Sequence, residues 1–215
     1  MKCPSYLLAT VLVAATMLSP GAASQSTAAV DTPNALESFL SGLDTFSAGF
    51  EQTLLNELGE ELERSIGTLY VERPGRFHWG YWEPFPQLIV SDGRSLWIYD
   101  EDLEQVTIRD VSTSIEDSPA ALLGGDVDVD AHYVVIESGE VDGVRWLDLT
   151  PRDIESQYET VRLGFREGQI AGMELFDNLG QKTRIDFQDV RRNPPLETGL
   201  FEFSPPAGVD VIDER

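Results

Sequence analysis

Residues 66–99 read I-G-T-L-Y-V-E-R-P-G-R-F-H-W-G-Y-W-E-P-F-P-Q-L-I-V-S-D-G-R-S-L-W-I-Y, and their apolar pattern has a period of two. Ile66, Thr68 and Tyr70 alternate with Gly67, Leu69 and Val71, while Phe77, Trp79 and Tyr81 share one side of the next segment. Successive side chains point to opposite faces only in an extended strand. Pro74-Gly75 and Asp92-Gly93 supply the turns between these runs. Upstream the same period places Phe46, Ala48, Phe50, Gln52 and Leu54 on one face. Downstream, β-branched or aromatic runs recur at Gln105–Val111, His132–Glu137, Val144–Leu149, Thr160–Phe165, Gln169–Phe176 and Thr183–Val190, separated by Asp142-Gly143, Glu167-Gly168 and Asn178 to Gly180. With Arg76–Trp82, Gln87–Val90 and Ser95–Tyr99 this makes about eleven strands on hairpin-length links, an antiparallel meander curled into a barrel or part-barrel.

Two segments break the strand period. Asp31 or Thr32 followed by Pro33 is a helix start, and Leu36, Phe39, Leu40 and Leu43 then recur at helical spacing. Asp117-Ser118-Pro119 is a second start, followed by Ala120, Ala121, Leu122 and Leu123 and stopped by Gly124-Gly125. Two short helices among so many strands predict a lid over one sheet face. Pro194-Pro195 and Pro205-Pro206 bracket Leu200 to Phe203, a last extended piece.

The first 24 residues have the layout of a cleaved signal peptide: Lys2, an apolar run from Tyr6 to Leu18, a break at Pro20-Gly21, and small residues Ala22-Ala23-Ser24. The expected mature chain is one domain over residues 25–215. The apolar run is shorter than the ~20 residues of a spanning helix. Cys3 is the single cysteine and precedes that run. The mature chain is therefore expected to lack disulfides, thiolate metal sites, a cysteine nucleophile and an acceptor for N-terminal lipidation.

Lys2 is the only charged residue before Asp31, which leaves 14 basic residues against 38 acidic ones, a net charge of −24. Such a field repels nucleic acid and anionic headgroups. The chain has no G-x-S-x-G elbow, phosphate-binding loop or dinucleotide fingerprint, and His78 and His132 lack zinc-type spacing. Asp126, Asp128 and Asp130 with Glu137 approach the spacing of a calcium loop, but its turning glycine is replaced by Ala131 and no helix pair flanks it. Neither a metal nor a cofactor is expected.

The blocks F-S-A-G-F-E-Q (Phe46 to Gln52), G-T-L-Y-V-E-R-P-G-R-F-H-W (Gly67 to Trp79) and L-I-V-S-D-G-R-S-L-W-I-Y (Leu88 to Tyr99), with Ser118 to Leu123 and the closing F-E-F-S-P-P (Phe201 to Pro206), resemble the periplasmic outer-membrane lipoprotein carrier family, LolA. The resemblance implies a mainly β, single-domain, eleven-stranded antiparallel half-barrel, an incomplete barrel with a short helical lid over its concave face. It implies a non-enzymatic, monomeric periplasmic chaperone whose cargo is acylated lipoproteins. An inner-membrane ABC lipoprotein-releasing complex (LolCDE-like) would load it, and an outer-membrane acceptor (LolB-like) would unload it.

On the same resemblance Arg73 closes the lid by donating to backbone carbonyls, which suits a guanidinium facing the carbonyl end of a short helix such as Ser118–Leu123. The alternative is a surface strand end before Pro74. Phe77 and Trp79 fall in or at the mouth of the cavity. The expected apolar lining extends to Phe50, Leu69, Tyr81, Leu88, Val90 and Trp97 from the strands, and to Leu122 and Leu123 from the lid. Ala120-Ala121 are small where the family often has bulkier lid residues.

The magnitudes suit such a carrier. Each CH₂ exposed to water costs about 0.8 kcal/mol, so a chain of ~16 carbons costs on the order of 12 kcal/mol. Burying three chains completely would exceed the ceiling of roughly −18 to −21 kcal/mol for reversible binding and block release. Two other readings stand beside this one. The first is a lipid-sensing regulatory or general lipid-binding half-barrel, although such relatives usually carry an additional domain. The second is a hydrolase, for which no paired acid and base can be located in the sequence.

Overall fold

The computed structural model describes residues 34–111, 119–124 and 129–215, with backbone only for 119–121. The expected signal peptide and the helix-start residues Asp31, Thr32, Pro33, Asp117 and Ser118 lie outside the described residues, as do Asp126 and Asp128.

The opening helix α1 spans Ala35–Leu40. Its N-cap is Asn34, whose side chain accepts from the Glu37 amide while the Glu37 carboxylate accepts from the Asn34 amide, a capping box. Leu36 and Phe39 face inward as the spacing predicted, and Leu43, although beyond the helix end, is buried as well. The strands follow as β1 (Thr45–Leu55), β2 (Glu61–Glu72), β3 (Arg76–Glu83), β4 (Gln87–Asp92), β5 (Ser95–Asp100) and β6 (Gln105–Asp110). Two short helices, α2 (Pro119–Gly124) and α3 (Val129–His132), precede β7 (Tyr133–Val141), β8 (Val144–Pro151), β9 (Tyr158–Arg166), β10 (Gln169–Asp177), β11 (Lys182–Arg192) and β12 (Asp210–Asp213). His132, expected to open a strand, ends α3 instead.

All the strands belong to one open sheet in the order β12-β6-β5-β4-β3-β2-β1-β11-β10-β9-β8-β7. Two meanders, β1–β6 and β7–β11, are joined where β1 pairs with β11. The link from β6 to β7 therefore leads from one half of the sheet to its far edge, and it carries α2 and α3. The eleven expected strands are present, and a twelfth was not anticipated. β12 adds to β6 as the one parallel pair in the sheet. Conversely, Leu200 to Phe203, expected to be extended, joins no strand.

One face holds the main core. Phe46, Leu69, Val71, Leu147, Leu149, Leu163, Met173 and Ile185 pack there with Leu36 and Phe39 of α1 and Leu122 and Leu123 of α2. The Phe39 ring lies edge-on to Phe46 of β1 at 5.9 Å and tilted against Phe165 of β9 at 5.8 Å, so α1 bridges the two meanders. We call this helix-bearing side the inner face.

Candidate functional site

The pairing registers arrange the inner face in rows. Phe46, Val71, Phe77, Ser91 and Leu96 form one, and Ala48, Leu69, Trp79, Ile89 and Ile98 the next. The third sets Gly67 between Phe50 and Tyr81. A Cβ at Gly67 would lie 2.6 Å from the Phe50 ring, so glycine here opens the space that the ring fills. Phe50 then stands edge-on to Trp79 (5.4 Å) and Tyr81 (5.1 Å), and the Trp79 and Tyr81 rings stack at 6.2 Å. The Tyr81 hydroxyl donates to Gln52 Oε1 at 3.1 Å. Burial raises its pKa above the ordinary tyrosine value, with smaller contributions from Tyr158 and Glu63, so it stays a neutral donor.

Residues 73–75 tie both helices to this face. Arg73 Nη1 donates to the Leu40 carbonyl at 3.1 Å, at the C-terminus of α1. The Arg73 amide donates to Asp44 O at 2.8 Å, and the Gly75 amide donates to Gly124 O at 2.7 Å, the last residue of α2. A second arginine, which sequence reasoning missed, assists at α1. Arg192 donates to Ser41 O at 2.8 Å while its guanidinium lies 5.4 Å over the Phe39 ring. Cations on the carbonyl end of a helix also complement its dipole. Ser91, fully buried, donates to Gly75 O and accepts from the Gly93 amide, which joins the two turns quoted at the outset.

Of the residues expected to line the site, the fold brings Phe50, Leu69, Phe77, Trp79, Tyr81, Leu122 and Leu123 together on the inner face. It separates Leu88, Val90 and Trp97 from them. Trp79 pairs with Ile89 and Phe77 with Ser91, so the alternation turns Leu88 and Val90 to the outer face, and Trp97, opposite Val90, goes with them. The positions they were expected to fill belong to Ile89, Leu96 and Ile98. The outer face over β4–β6 is a second apolar layer. Val90, Val106 and Ile108 are buried there, and Phe203 packs its ring 6.4 Å from Trp97 and 5.8 Å from Tyr99. The one signal that could have revealed this is F-E-F near the C-terminus, two aromatics with no strand of their own to serve.

Among the described residues there is no group of three potential metal ligands and no helix long and apolar enough to cross a membrane. Fold and site together define a class: an open antiparallel half-barrel with an apolar inner face roofed at one end by short helices. The chain belongs to the LolA family, since the model of the outer membrane lipoprotein carrier protein LolA matches residues 41–204. The outer-membrane lipoprotein carrier protein of Dechloromonas aromatica is 44% identical over 83% of this chain and 86% of its own length. That of Methylococcus capsulatus is 40% identical over 95% and 97%. Among solved structures, an uncharacterized conserved protein from Thermus thermophilus superposes with a TM-score of 0.53 at 12% identity, covering 83% of this chain and 96% of that one, which is a likeness of fold.

Proposed function

We propose that this chain is a periplasmic lipoprotein carrier that shelters acyl chains against its inner face and shuttles them between membranes. The observation that carries this reading is the aromatic and aliphatic face under α1 and α2, held shut by a few hydrogen bonds from residues 73–75 rather than by a closed barrel. Swinging those helices away uncovers Leu69, Phe77, Trp79 and their neighbours, and the transfer term of about 0.8 kcal/mol per CH₂ makes that surface attractive to hydrocarbon.

In this reading export relies on cleavage after residue 24, cargo comes from an inner-membrane ABC complex, and an outer-membrane acceptor receives it. The chain has no nucleotide-binding motif, so the partner drives loading. Arg73 serves as the latch, and losing its bond to Leu40 O leaves the lid open. Purified residues 25–215 should release a lipoprotein from spheroplasts as a soluble complex; no release from spheroplasts with an intact export complex would end the proposal. Arg73→Leu should load cargo and hand it over slowly. Transfer at the unmodified rate would remove Arg73 from the mechanism.

A further inference from the structure

Gln52 is an unusual occupant of its row. On the β11 side its register neighbours, Ile185, Met173, Leu163 and Leu147, are at most 1% exposed and wholly apolar, while Ser65 of β2 pairs with it on the other side. The Gln52 side-chain oxygen already accepts from Tyr81 Oη. That bond fixes the amide so that its two N–H donors point elsewhere, and no hydrogen bond from them is formed among the described residues. A donor that is stranded lies on the same ledge. Trp79 is 4% exposed, and its indole Nε1–H has no hydrogen-bond partner among the described residues. Trp79 stacks on Tyr81, and Phe50 abuts both rings, so the two donors flank one aromatic surface.

A buried donor without an acceptor, as the Trp79 indole N–H is, forfeits its bond to water, and an arriving ligand that brings an acceptor removes that cost; the half-buried Gln52 amide offers that acceptor a second donor. The surroundings define the acceptor. Its neighbours are rings and aliphatic chains, so it must be attached to hydrocarbon. It must also be neutral, because Glu63 lies close enough to act electrostatically on Tyr81 and the chain as a whole is strongly acidic.

Building on the acyl-carrier reading above, we propose that Trp79 Nε1–H and the Gln52 amide form a donor pair for the ester or amide carbonyl at which an acyl chain joins its headgroup. Tyr81 is the positioning residue that holds the Gln52 amide. The ledge thereby sets how far a chain slides along the inner face and separates acylated cargo from plain hydrocarbon.

The test is displacement of the neutral fluorophore N-phenyl-1-naphthylamine from residues 25–215 by three ligands of equal length: methyl decanoate, N-methyldecanamide and dodecane. One net hydrogen bond is worth roughly two- to twelvefold in affinity. Gln52→Leu and Trp79→Phe should each cut the preference for ester and amide over dodecane by about fivefold, the preference being read as a ratio within each variant so that any change in general hydrocarbon affinity cancels. Gln52→Glu keeps the shape and replaces donors with acceptors, so it should show the same loss even if Gln52→Leu folds poorly. An equal loss for ester and amide marks the shared carbonyl as the recognised group, and a loss for one alone narrows the donor pair to that linkage. Unchanged preferences in all three variants overturn the proposal while leaving the carrier intact. If none of the three ligands displaces the fluorophore from the unmodified protein, the carrier reading falls too.

Discussion

A methyl group at position 67 would lie 2.0 Å from the Gly80 carbonyl oxygen, whereas one at Gly49, on the neighbouring strand, would meet nothing nearer than 3.8 Å. The two glycines thus separate packing from conformational freedom. Gly67→Ala must shift backbone or the Phe50 ring and is expected to cost about 1–3 kcal/mol, while Gly49→Ala should stay within about 1 kcal/mol of the parent, both read by urea denaturation. His78 offers a second test at this scale. It lies on the outer face, edge-on to Tyr70 at 5.8 Å and paired with Val90, and burial lowers its pKa from the ordinary histidine value. The unfolded chain therefore binds this proton more readily than the folded one. Stability should fall as pH drops through the unfolded value of about 6.5 and level off below the folded pKa. Denaturation at pH 7.5 and 5.5 should show that fall in the parent and a smaller one in His78→Gln; equal falls would show that other groups carry it.

Elements were legible wherever one face is wet. β9 alternates Val161, Leu163 and Phe165 with Thr160, Arg162 and Gly164, and it was expected within about two residues of its ends. Leu88-Ile89-Val90 offers no such alternation, because β4 is apolar on both sides, and a run of this kind carries no register. Placing Leu88, Val90 and Trp97 inside followed from treating the sheet as having a single dry face. The second dry layer depends on the C-terminal segment, whose aromatics act across about a hundred residues of sequence and leave no local periodicity to read. β12 escaped for a related reason: Asp210–Asp213 has two acidic ends and only Val211 and Ile212 between them, and its place is set by pairing with β6. The bond from Arg73 to the Leu40 carbonyl was likewise illegible, since which backbone carbonyls a guanidinium reaches is a matter of tertiary distance. Phe201, buried and with the Arg76 guanidinium 5.7 Å above its ring, anchors the outer layer. Phe201→Ala is expected to cost about 3 kcal/mol and to brighten an apolar-surface dye, since the segment that carries Phe203 onto Trp97 loses its buried anchor. A loss below about 1 kcal/mol would show that the C-terminal segment does not hold that layer in solution.

At the scale of the molecule two electrostatic effects oppose each other, and their balance is measurable. On the outer face of the second meander, the registers align Asp148, Arg162, Glu174 and Arg184 as a row of alternating charge. Arg162 bonds both Asp148 (2.8 Å) and Glu174 (3.1 Å), and Lys182 adds a second cation to the nearly buried Glu174 at 3.2 Å. Salt weakens such pairs, but exposed ones are worth only about 0–1 kcal/mol each, and these are partly shielded from solvent. The opposing effect is the net charge of −23, which makes the compact state repel itself. Raising NaCl from 0.01 M to 1 M shortens the screening length from about 30 Å to about 3 Å, which removes long-range repulsion while leaving contact pairs largely in place. Stability should therefore rise with salt, by roughly 2 kcal/mol or about 4–8 °C in Tm. Glu174→Gln, which removes the acceptor shared by Arg162 and Lys182, should instead lower Tm at both salt concentrations by a similar amount. A Tm that falls with salt in the parent would mean that the ion-pair row, not self-repulsion, governs how this open sheet holds together.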